Sequence, residues 1–242
     1  MNRRSLLAAA GGSSLAIVAG CIDDIGIDGA GGDDESGDGS AYETGSFDGE
    51  EVPLVPVEEA HEWYENEEAR FVDTRGVSQY DAGHIPGAVL SPAIESEGED
   101  PTDDWSTDTH VVTYCNCPNS LAVQRGAEFK SDGFDEVYAI EEGYGGWEDA
   151  EYPIERNETD VDVETYEIEG ESDPDYDGEY VHISTADGGS YEIATVESDG
   201  TYETEIRFPD LSSDSELIVD APDYTVEGTL AEFTSEPVTV DS

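Results

Sequence analysis

Short apolar segments alternate with segments of helical spacing between residues 52 and 155, and this alternation restricts the fold more than any other feature of the chain. Strands that alternate with helices form a mostly parallel sheet with helices on both faces. The predicted strands are Ala69–Asp73, His110–Tyr114 and Val137–Ile140, and the predicted helices are Val57–Asn66 and Leu121–Ser131. We therefore expect an α/β domain with a central parallel sheet over residues 52–155.

The chain after residue 160 has a different pattern, in which apolar and polar residues alternate throughout. Short alternating runs separated by turn residues are typical of a β-sandwich, which we predict over residues 160–242. The predicted strands are Val161–Glu169, Glu179–Ser184, Ser190–Val196, Thr201–Phe208, Glu216–Val219, Thr225–Phe233 and Val238–Val240. Two segments, SDGTYETEIRFPD and VDAPDYTVEG, faintly resemble immunoglobulin-like or carboxypeptidase-regulatory-like modules. Because this region contains no cysteine and a single histidine, His182, we expect it to be a passenger or spacer without a catalytic role.

Acidic residues far outnumber basic residues, with 62 Asp and Glu against 8 Lys and Arg and a formal net charge of -54. This balance excludes nucleic acid as an expected partner, because phosphate binding requires clustered cations. The carboxylates are scattered from residue 23 onward, and their repulsion is screened at ~1 M salt, where the Debye length falls to about 3 Å. We infer adaptation to molar salt; an acidic surface protein loaded with calcium is the alternative. We predict no bound metal site and no cofactor.

The amino terminus has the features of an export signal, which we predict over residues 1–21. The Arg3-Arg4 pair resembles a twin-arginine signal, and the residues Val-Ala-Gly before Cys21 resemble a lipobox, in which the cysteine is lipidated and becomes the first mature residue. Residues 22–51 are rich in Gly, Asp and Ser and predict a flexible linker. We expect export by the twin-arginine route and a lipid anchor at the outer face of the cell membrane, with an uncleaved membrane anchor as the alternative. On that side, the sequon that begins at Asn157 is a glycosylation candidate.

A cysteine directly follows the second apolar strand of the α/β region. Cys115 comes immediately after Tyr114, and the segment Asn116-Cys117-Pro118-Asn119-Ser120 leads into the helix predicted to begin at Leu121. Backbone N–H groups at the start of a helix carry partial positive charge and favour a thiolate over a thiol. This order of strand, cysteine loop and helix predicts that Cys115 is a nucleophile.

Three segments, in this order, resemble the signatures of the rhodanese-like domain family: FVDTRGVSQYDAGHIPGAV, VVTYC and GFDEVYAIEEGYGGW. The resemblance covers about residues 52–154 and implies an α/β fold with a central parallel sheet. It also implies a sulfurtransferase reaction, in which a Cys115 persulfide carries a sulfane sulfur from a small donor to a thiol or cyanide-like acceptor. The expected donors are thiosulfate, a persulfide or a polysulfide.

The resemblance assigns roles to individual residues. Cys115 corresponds to the nucleophile, and Asn116 to Ser120 correspond to the loop whose amides surround the transferred sulfur. Asp73 and Arg75 correspond to a pair that supports the edge of the sheet near this loop. We interpret that pair as structural more than catalytic.

The loop departs from the family pattern at three positions. Pro118 and Ser120 stand where many members have a glycine and a basic residue, so an amide donor and a cation are missing. Arg125 could replace that cation or could pair with surface carboxylates. Cys117 has three possible roles: a spare thiol, a residue that resolves the Cys115 persulfide, or the partner of Cys115 in a strained disulfide.

Two functions remain open from the sequence. The first is an extracytoplasmic sulfurtransferase that uses Cys115. The second is a rhodanese-fold module that binds or senses sulfur or redox state with little turnover, since Pro118 and Ser120 weaken the loop. The reactivity of the Cys115 thiol distinguishes them, because a binding module does not need an activated thiol.

Overall fold

The computed structural model describes residues 42–94, 100–116, 121–157 and 161–240, which form an α/β region followed by an all-β region. The α/β region contains β1 (Thr44–Phe47), β2 (Glu50–Val55), α1 (Val57–Glu65), β3 (Arg70–Asp73), α2 (Val77–Ala82), β4 (Val89–Leu90), β5 (Val111–Tyr114), α3 (Leu121–Ser131), β6 (Val137–Ile140) and α4 (Gly143–Asp149). The all-β region contains β7 (Tyr166–Glu171), β8 (Tyr180–Thr185), β9 (Tyr191–Thr195), β10 (Thr201–Ile206), β11 (Glu216–Asp220), β12 (Thr225–Thr229) and a short helix, α5 (Leu230–Phe233). The predicted export signal with Cys21, and the loop residues Cys117, Pro118, Asn119 and Ser120, lie outside the described residues.

The α/β region is built on a six-stranded sheet with the order β1-β2-β6-β5-β3-β4. All neighbouring strands from β2 to β4 in that order pair in parallel, whereas β1 pairs with β2 in an antiparallel hairpin. The sheet is therefore mixed: it is mostly parallel, as predicted, but carries one antiparallel edge strand that was not predicted. The hairpin also begins inside the segment predicted as a linker, because β1 starts at Thr44. The residues of β1 are largely exposed. Their composition therefore resembles that of a linker, although they form an edge strand.

Helices cover both faces of this sheet, as predicted. Neighbouring residues on a strand point to opposite faces, and Leu54 and Val55 of β2 pack in different buried clusters. Leu54 shares its cluster with Leu121 of α3, whereas Val55 shares its cluster with Ala60 of α1 and Trp147 of α4. The α3 helix thus lies on one face, and α1 and α4 lie on the other.

The all-β region contains two antiparallel sheets, one with the order β10-β7 and one with the order β12-β11-β8-β9. Ile168 of β7 and Ile206 of β10 are fully buried in the same cluster as Val181 of β8 and Leu217 of β11. The two sheets therefore share one core. This arrangement agrees with the predicted all-β region, while the sandwich itself stays a prediction.

The structure corrects the predicted strand at Thr225–Phe233. The strand β12 ends at Thr229, and α5 begins at the next residue. The Thr229 hydroxyl accepts the Glu232 N–H at 3.4 Å, and the Glu232 carboxylate accepts the Thr229 N–H at 2.8 Å. This is a capping box, and the Thr-x-x-Glu pattern that forms it was present in the sequence. The predicted strand Val238–Val240 is reduced to an isolated bridge at Val238, whereas the predicted strand Val161–Glu169 becomes a bridge at Val163 followed by β7, which begins at Tyr166.

Candidate active site

Cys115 lies at the carboxyl end of a central strand of the sheet. It directly follows β5, which pairs with β3 on one side and β6 on the other, and all residues of β5 are buried. The Cys115 side chain is 0% exposed. The carboxyl ends of parallel strands are where open α/β sheets bind ligands. The fold therefore positions Cys115 at the carboxyl edge of the sheet, where a ligand-binding site is expected.

The start of α4 fixes the backbone at Cys115. The Tyr144 N–H donates to the Cys115 carbonyl oxygen at 2.7 Å. Gly143 precedes it with a φ of 60°, and a Cβ at this position would lie 2.6 Å from the Cys115 carbonyl oxygen and 3.0 Å from that of Asn116. Only glycine fits this close approach without displacement. Gly143 therefore sets the path of the chain as it enters the cysteine loop.

Asp73 and Arg75 form a buried ion pair beside this loop. Both side chains are at most 3% exposed. The Arg75 Nε donates to Asp73 Oδ1 at 2.9 Å and its Nη2 donates to Asp73 Oδ2 at 2.6 Å, which is a bidentate geometry. Burial alone would lower the pKa of Arg75, but the Asp73 carboxylate outweighs burial and raises that pKa. Arg75 is therefore a permanent cation at the sheet edge.

The Arg75 guanidinium connects the sheet edge to the first residue of the cysteine loop. Its Nη1 donates to Asn116 Oδ1 at 3.0 Å, and its Nη2 donates to the Gly83 carbonyl at 2.7 Å. The guanidinium also lies over the Tyr144 ring, 4.0 Å from its centroid. Asp73, Arg75 and Asn116 are thus brought together by the fold.

Arg125 is engaged by carboxylates. Its Nη1 donates to Glu128 Oε2 at 2.6 Å and its Nη2 donates to Asp100 Oδ2 at 3.0 Å. Its Nε donates to the Ser91 hydroxyl at 2.9 Å. The charge of Arg125 is therefore already compensated by neighbouring acids.

Asn157 lies next to α2. Its side-chain amide donates to Asp81 Oδ1 at 2.6 Å, and its backbone N–H donates to the Asp81 carbonyl at 2.9 Å. The amide nitrogen that glycosylation would modify is therefore engaged in this hydrogen bond, and Thr159 of the sequon lies outside the described residues.

The all-β region packs on the edge of the sheet near Cys115 through β9. The Tyr191 hydroxyl donates to the Thr74 carbonyl at 2.8 Å, and the Tyr191 N–H donates to Gln79 Oε1 at 3.2 Å. Tyr191 and Ile193 belong to the same buried cluster as Cys115. This contact was missed in the sequence, because a packing surface of ordinary strand residues has no motif. These buried contacts with the α/β region are more extensive than a passenger or spacer would be expected to make.

The turn before β9 adds a second contact. The Ser78 N–H donates to the Gly189 carbonyl at 2.9 Å. A Cβ on Gly76 would lie 2.4 Å from the same Gly189 oxygen, so the two backbones approach as closely as glycine permits. The start of α2 is thereby held against the all-β region.

The α/β region thus combines a mixed sheet, a buried cysteine at the end of the central strand β5, and the Asp73–Arg75 ion pair, which begins at the last residue of the neighbouring strand β3. Residues 56–150 match the family described as rhodanese-like domain. A rhodanese-like domain therefore occupies this part of the chain.

Several solved structures are similar to this chain. The BH2092 protein from Bacillus halodurans is 25% identical, with a TM-score of 0.39 over 43% of this chain and 77% of that chain. The human single-domain sulfurtransferase TSTD1 is 23% identical, with a TM-score of 0.34 over 40% of this chain and 96% of that chain. The thiosulfate sulfurtransferase from Pseudomonas aeruginosa is 19% identical, with a TM-score of 0.39 over 44% of this chain and 20% of that chain.

Proposed function

We propose that the protein is an extracytoplasmic sulfurtransferase in which Cys115 carries the transferred sulfur as a persulfide. The observation that supports this function is the position of Cys115 in a rhodanese-like domain, at the end of β5, with its carbonyl held by the Tyr144 N–H. Arg75 and Asn116 stand beside it and order the entrance to the loop. Such a fixed backbone suits a nucleophile that must meet its substrate in one orientation.

The proposed reaction has two half-reactions that balance without an external oxidant or reductant. In the first, the Cys115 thiolate attacks the sulfane sulfur of the donor. The S–S bond of the donor breaks, and the leaving group, a thiolate or sulfite, departs with the bonding electron pair. In the second, a thiolate or cyanide-like acceptor attacks the outer sulfur of the persulfide. The electron pair of that S–S bond returns to Cys115, which is again a thiolate.

Mass spectrometry tests this proposal directly. The full chain is incubated with thiosulfate and, in parallel, with an organic persulfide or polysulfide, and the peptide that contains Cys115 is then fragmented. We expect Cys115 to gain the mass of one sulfur atom and to lose it when cyanide or a thiol is added. Sulfur found on Cys117 alone, or on neither cysteine, would oppose the proposed role of Cys115.

The burial of Cys115 favours a second candidate function. The side chain is 0% exposed and shares its cluster with Tyr191 and Ile193 of the all-β region. A thiol enclosed in this way suits a module that senses or stores sulfur with little turnover. The same mass experiment separates the two functions, because a sensing module forms the persulfide but does not pass it on to the acceptor.

Gly143→Ala is expected to slow sulfur uptake by Cys115 roughly 10-fold to 100-fold, since small misplacements of a reacting group have effects of this size. The added methyl group would clash with the carbonyl oxygens of Cys115 and Asn116. Gly178→Ala is the matched control, because Gly178 also has a positive φ, 84°, but nothing lies within 4 Å of its Cβ position. The rate of persulfide formation and the urea unfolding midpoint are measured for both. If the two variants slow sulfur uptake equally, backbone strain and not contact with the loop is responsible.

We further propose that the protein is anchored outside the cell by a lipid on Cys21 and works in molar salt. The twin-arginine pair, the lipobox and the net charge of -54 support this location. Within the described residues, no helix is both long and apolar enough to cross a membrane. The small sulfur donor and acceptor would then meet the protein at the outer membrane face.

Cys21→Ser is expected to release the protein into the medium or to leave it unprocessed, because the lipid-bearing thiol is lost. Replacement of Arg3-Arg4 by Lys-Lys is the companion variant and should retain the protein inside the cell. Fractionation followed by a mass measurement of the mature chain distinguishes these outcomes. A mature-sized Cys21→Ser protein in the membrane pellet would show that another feature provides the anchor.

A further inference from the structure

A cavity of about 240 Å³ lies beside the entrance to the cysteine loop. The rhodanese-like domain contributes Arg75, Asn116 and Tyr144 to its walls, and the all-β region contributes Arg207. Arg156, in the segment that joins the two parts, also lines it. The cavity is therefore formed jointly by the two parts of the chain.

Cations are concentrated at this cavity. The described residues contain six Lys and Arg side chains, because Arg3 and Arg4 account for the other two of the eight in the chain. Arg75, Arg156 and Arg207 line the cavity. Glu148 accepts from Arg207 at 2.9 Å and from Arg156 at 3.5 Å, and Asp73 pairs with Arg75. Three guanidinium groups against two carboxylates leave an excess of positive charge in a strongly acidic protein.

Three polar groups of the same cavity lack a hydrogen-bond acceptor among the described residues. They are Gln79 Nε2, Asn116 Nδ2 and the Tyr144 hydroxyl, all buried. The amide orientations follow from their oxygens, since Gln79 Oε1 accepts the Tyr191 N–H and Asn116 Oδ1 accepts from Arg75. Burial raises the pKa of Tyr144 to about 12, so its hydroxyl keeps its proton near neutral pH. All three unpaired groups are therefore donors, which favours a ligand that is rich in acceptors.

We propose that this cavity binds a small oxyanion, a carboxylate or sulfonate group of the sulfur donor or acceptor, and that Arg207 of the all-β region supplies a charge that strengthens its binding. The identity of the molecule as a sulfur substrate rests on the proposed function, whereas anion binding itself does not. The volume suits a molecule of a few heavy atoms and is too small for a folded or extended protein segment. The all-β region thus completes a binding site and is more than a spacer. The guanidinium groups also supply positive charge beside Asn116, the first residue of a loop whose sequence has no basic residue.

Binding is tested with unreactive probes on the full chain at constant high ionic strength. Methanesulfonate and acetate are the two anionic probes, and dimethyl sulfone has nearly the shape of methanesulfonate without its charge. We expect an anion to raise the unfolding temperature while the sulfone has no effect. Stabilisation by one of the two anions alone identifies the preferred group. Equal effects of methanesulfonate and the sulfone would overturn the proposal.

Arg207→Gln is expected to weaken anion binding about tenfold, the scale of one charge-assisted hydrogen bond. Arg70→Gln is the matched control, since it changes the net charge equally at an exposed site where the guanidinium lies over Trp105, 4.7 Å from the ring centroid. Arg156→Gln, which is about half exposed, provides a second variant if Arg207→Gln lowers stability. Equal weakening in Arg207→Gln and Arg70→Gln would show a general field effect and no specific site.

Glu148→Gln is expected to change anion affinity in the opposite direction to Arg207→Gln. Because Glu148 competes with the ligand for Arg156 and Arg207, its neutralisation should tighten anion binding severalfold, which a purely structural role of these arginines would not produce. Unchanged or weaker binding in Glu148→Gln would contradict the proposal.

If anions bind as expected but no persulfide forms on Cys115, the sulfurtransferase proposal fails while the anion site stands. If sulfur transfer is intact and Arg207→Gln binds anions like the unsubstituted protein, the site fails alone.

Discussion

Cys115→Ser is expected to abolish sulfur transfer, with kcat reduced roughly 10⁴-fold or more, the scale seen when a covalent nucleophile is removed. A serine hydroxyl is weakly acidic and does not form the persulfide on which both half-reactions depend. Transfer is measured as thiocyanate formed from cyanide with thiosulfate and, separately, with a persulfide donor. Full activity in this variant would exclude Cys115 as the sulfur carrier.

Cys117→Ser is the matched control and decides among the roles left open for Cys117. A spare thiol predicts nearly unchanged transfer, whereas a resolving thiol predicts normal persulfide formation on Cys115 but slow release. A disulfide with Cys115 predicts faster sulfur uptake without reductant, because the nucleophile is no longer sequestered. Circular dichroism confirms the fold of each variant, since Cys115 is fully buried and a hydroxyl there is less favourable than a thiol.

The rhodanese-like domain could be predicted from the sequence because its elements carry local signals. The helix at Leu121–Ser131 and the strand at Val137–Ile140 were predicted with the bounds that the structure has. Cys115 was predicted to be the nucleophile from its place between a strand and a helix, which is also a local feature; the structure confirms that place, and the role stays a prediction. Here, local propensity and hydrophobic pattern agree with the tertiary structure.

The cavity could not be predicted, because its residues are brought together by tertiary packing. Gln79 meets Tyr191 across 112 positions of the chain, and Arg207 meets Glu148 across 59. In the sequence, Tyr191 and Arg207 carry no signal that distinguishes them from ordinary strand or loop residues. Their contacts arise only when the two parts of the chain pack together. Tyr144 lies in the segment GFDEVYAIEEGYGGW, which resembles a family signature. Its proposed role in anion binding depends on the buried hydroxyl, whose surroundings are formed only in the folded protein.

The overall charge of the chain could be predicted from its composition, whereas the local arrangement of its charges could not. The sequence predicted a strongly acidic protein whose cysteine loop lacks a basic residue at Ser120, with Arg125 as one possible replacement. The structure places three of its few arginines at one cavity, so the local field differs from the average field. Net charge describes the average field around the protein, whereas the arrangement of Arg156, Arg207 and Glu148 sets the field at this cavity.

Asp73→Asn is expected to lower the free energy of unfolding by about 3–5 kcal/mol, because it leaves the Arg75 charge buried without its counter-ion. Arg75 would keep its bonds to Asn116 and Gly83 but would lose the bidentate carboxylate. Urea unfolding in molar salt measures the change. Salt should reduce it little, since a fully buried pair is poorly screened.

Two further variants show whether the effect comes from the buried charge. Glu128→Gln removes a partner of Arg125 whose side chain is 41% exposed, and it should cost less than about 1 kcal/mol. The double variant Asp73→Asn with Arg75→Gln should be more stable than Asp73→Asn alone, because no uncompensated charge remains. If Asp73→Asn costs no more than Glu128→Gln, the pair does not support the sheet edge. If the double variant is the least stable of the three, the hydrogen bonds of Arg75 to Asn116 and Gly83 matter more than the compensation of its charge.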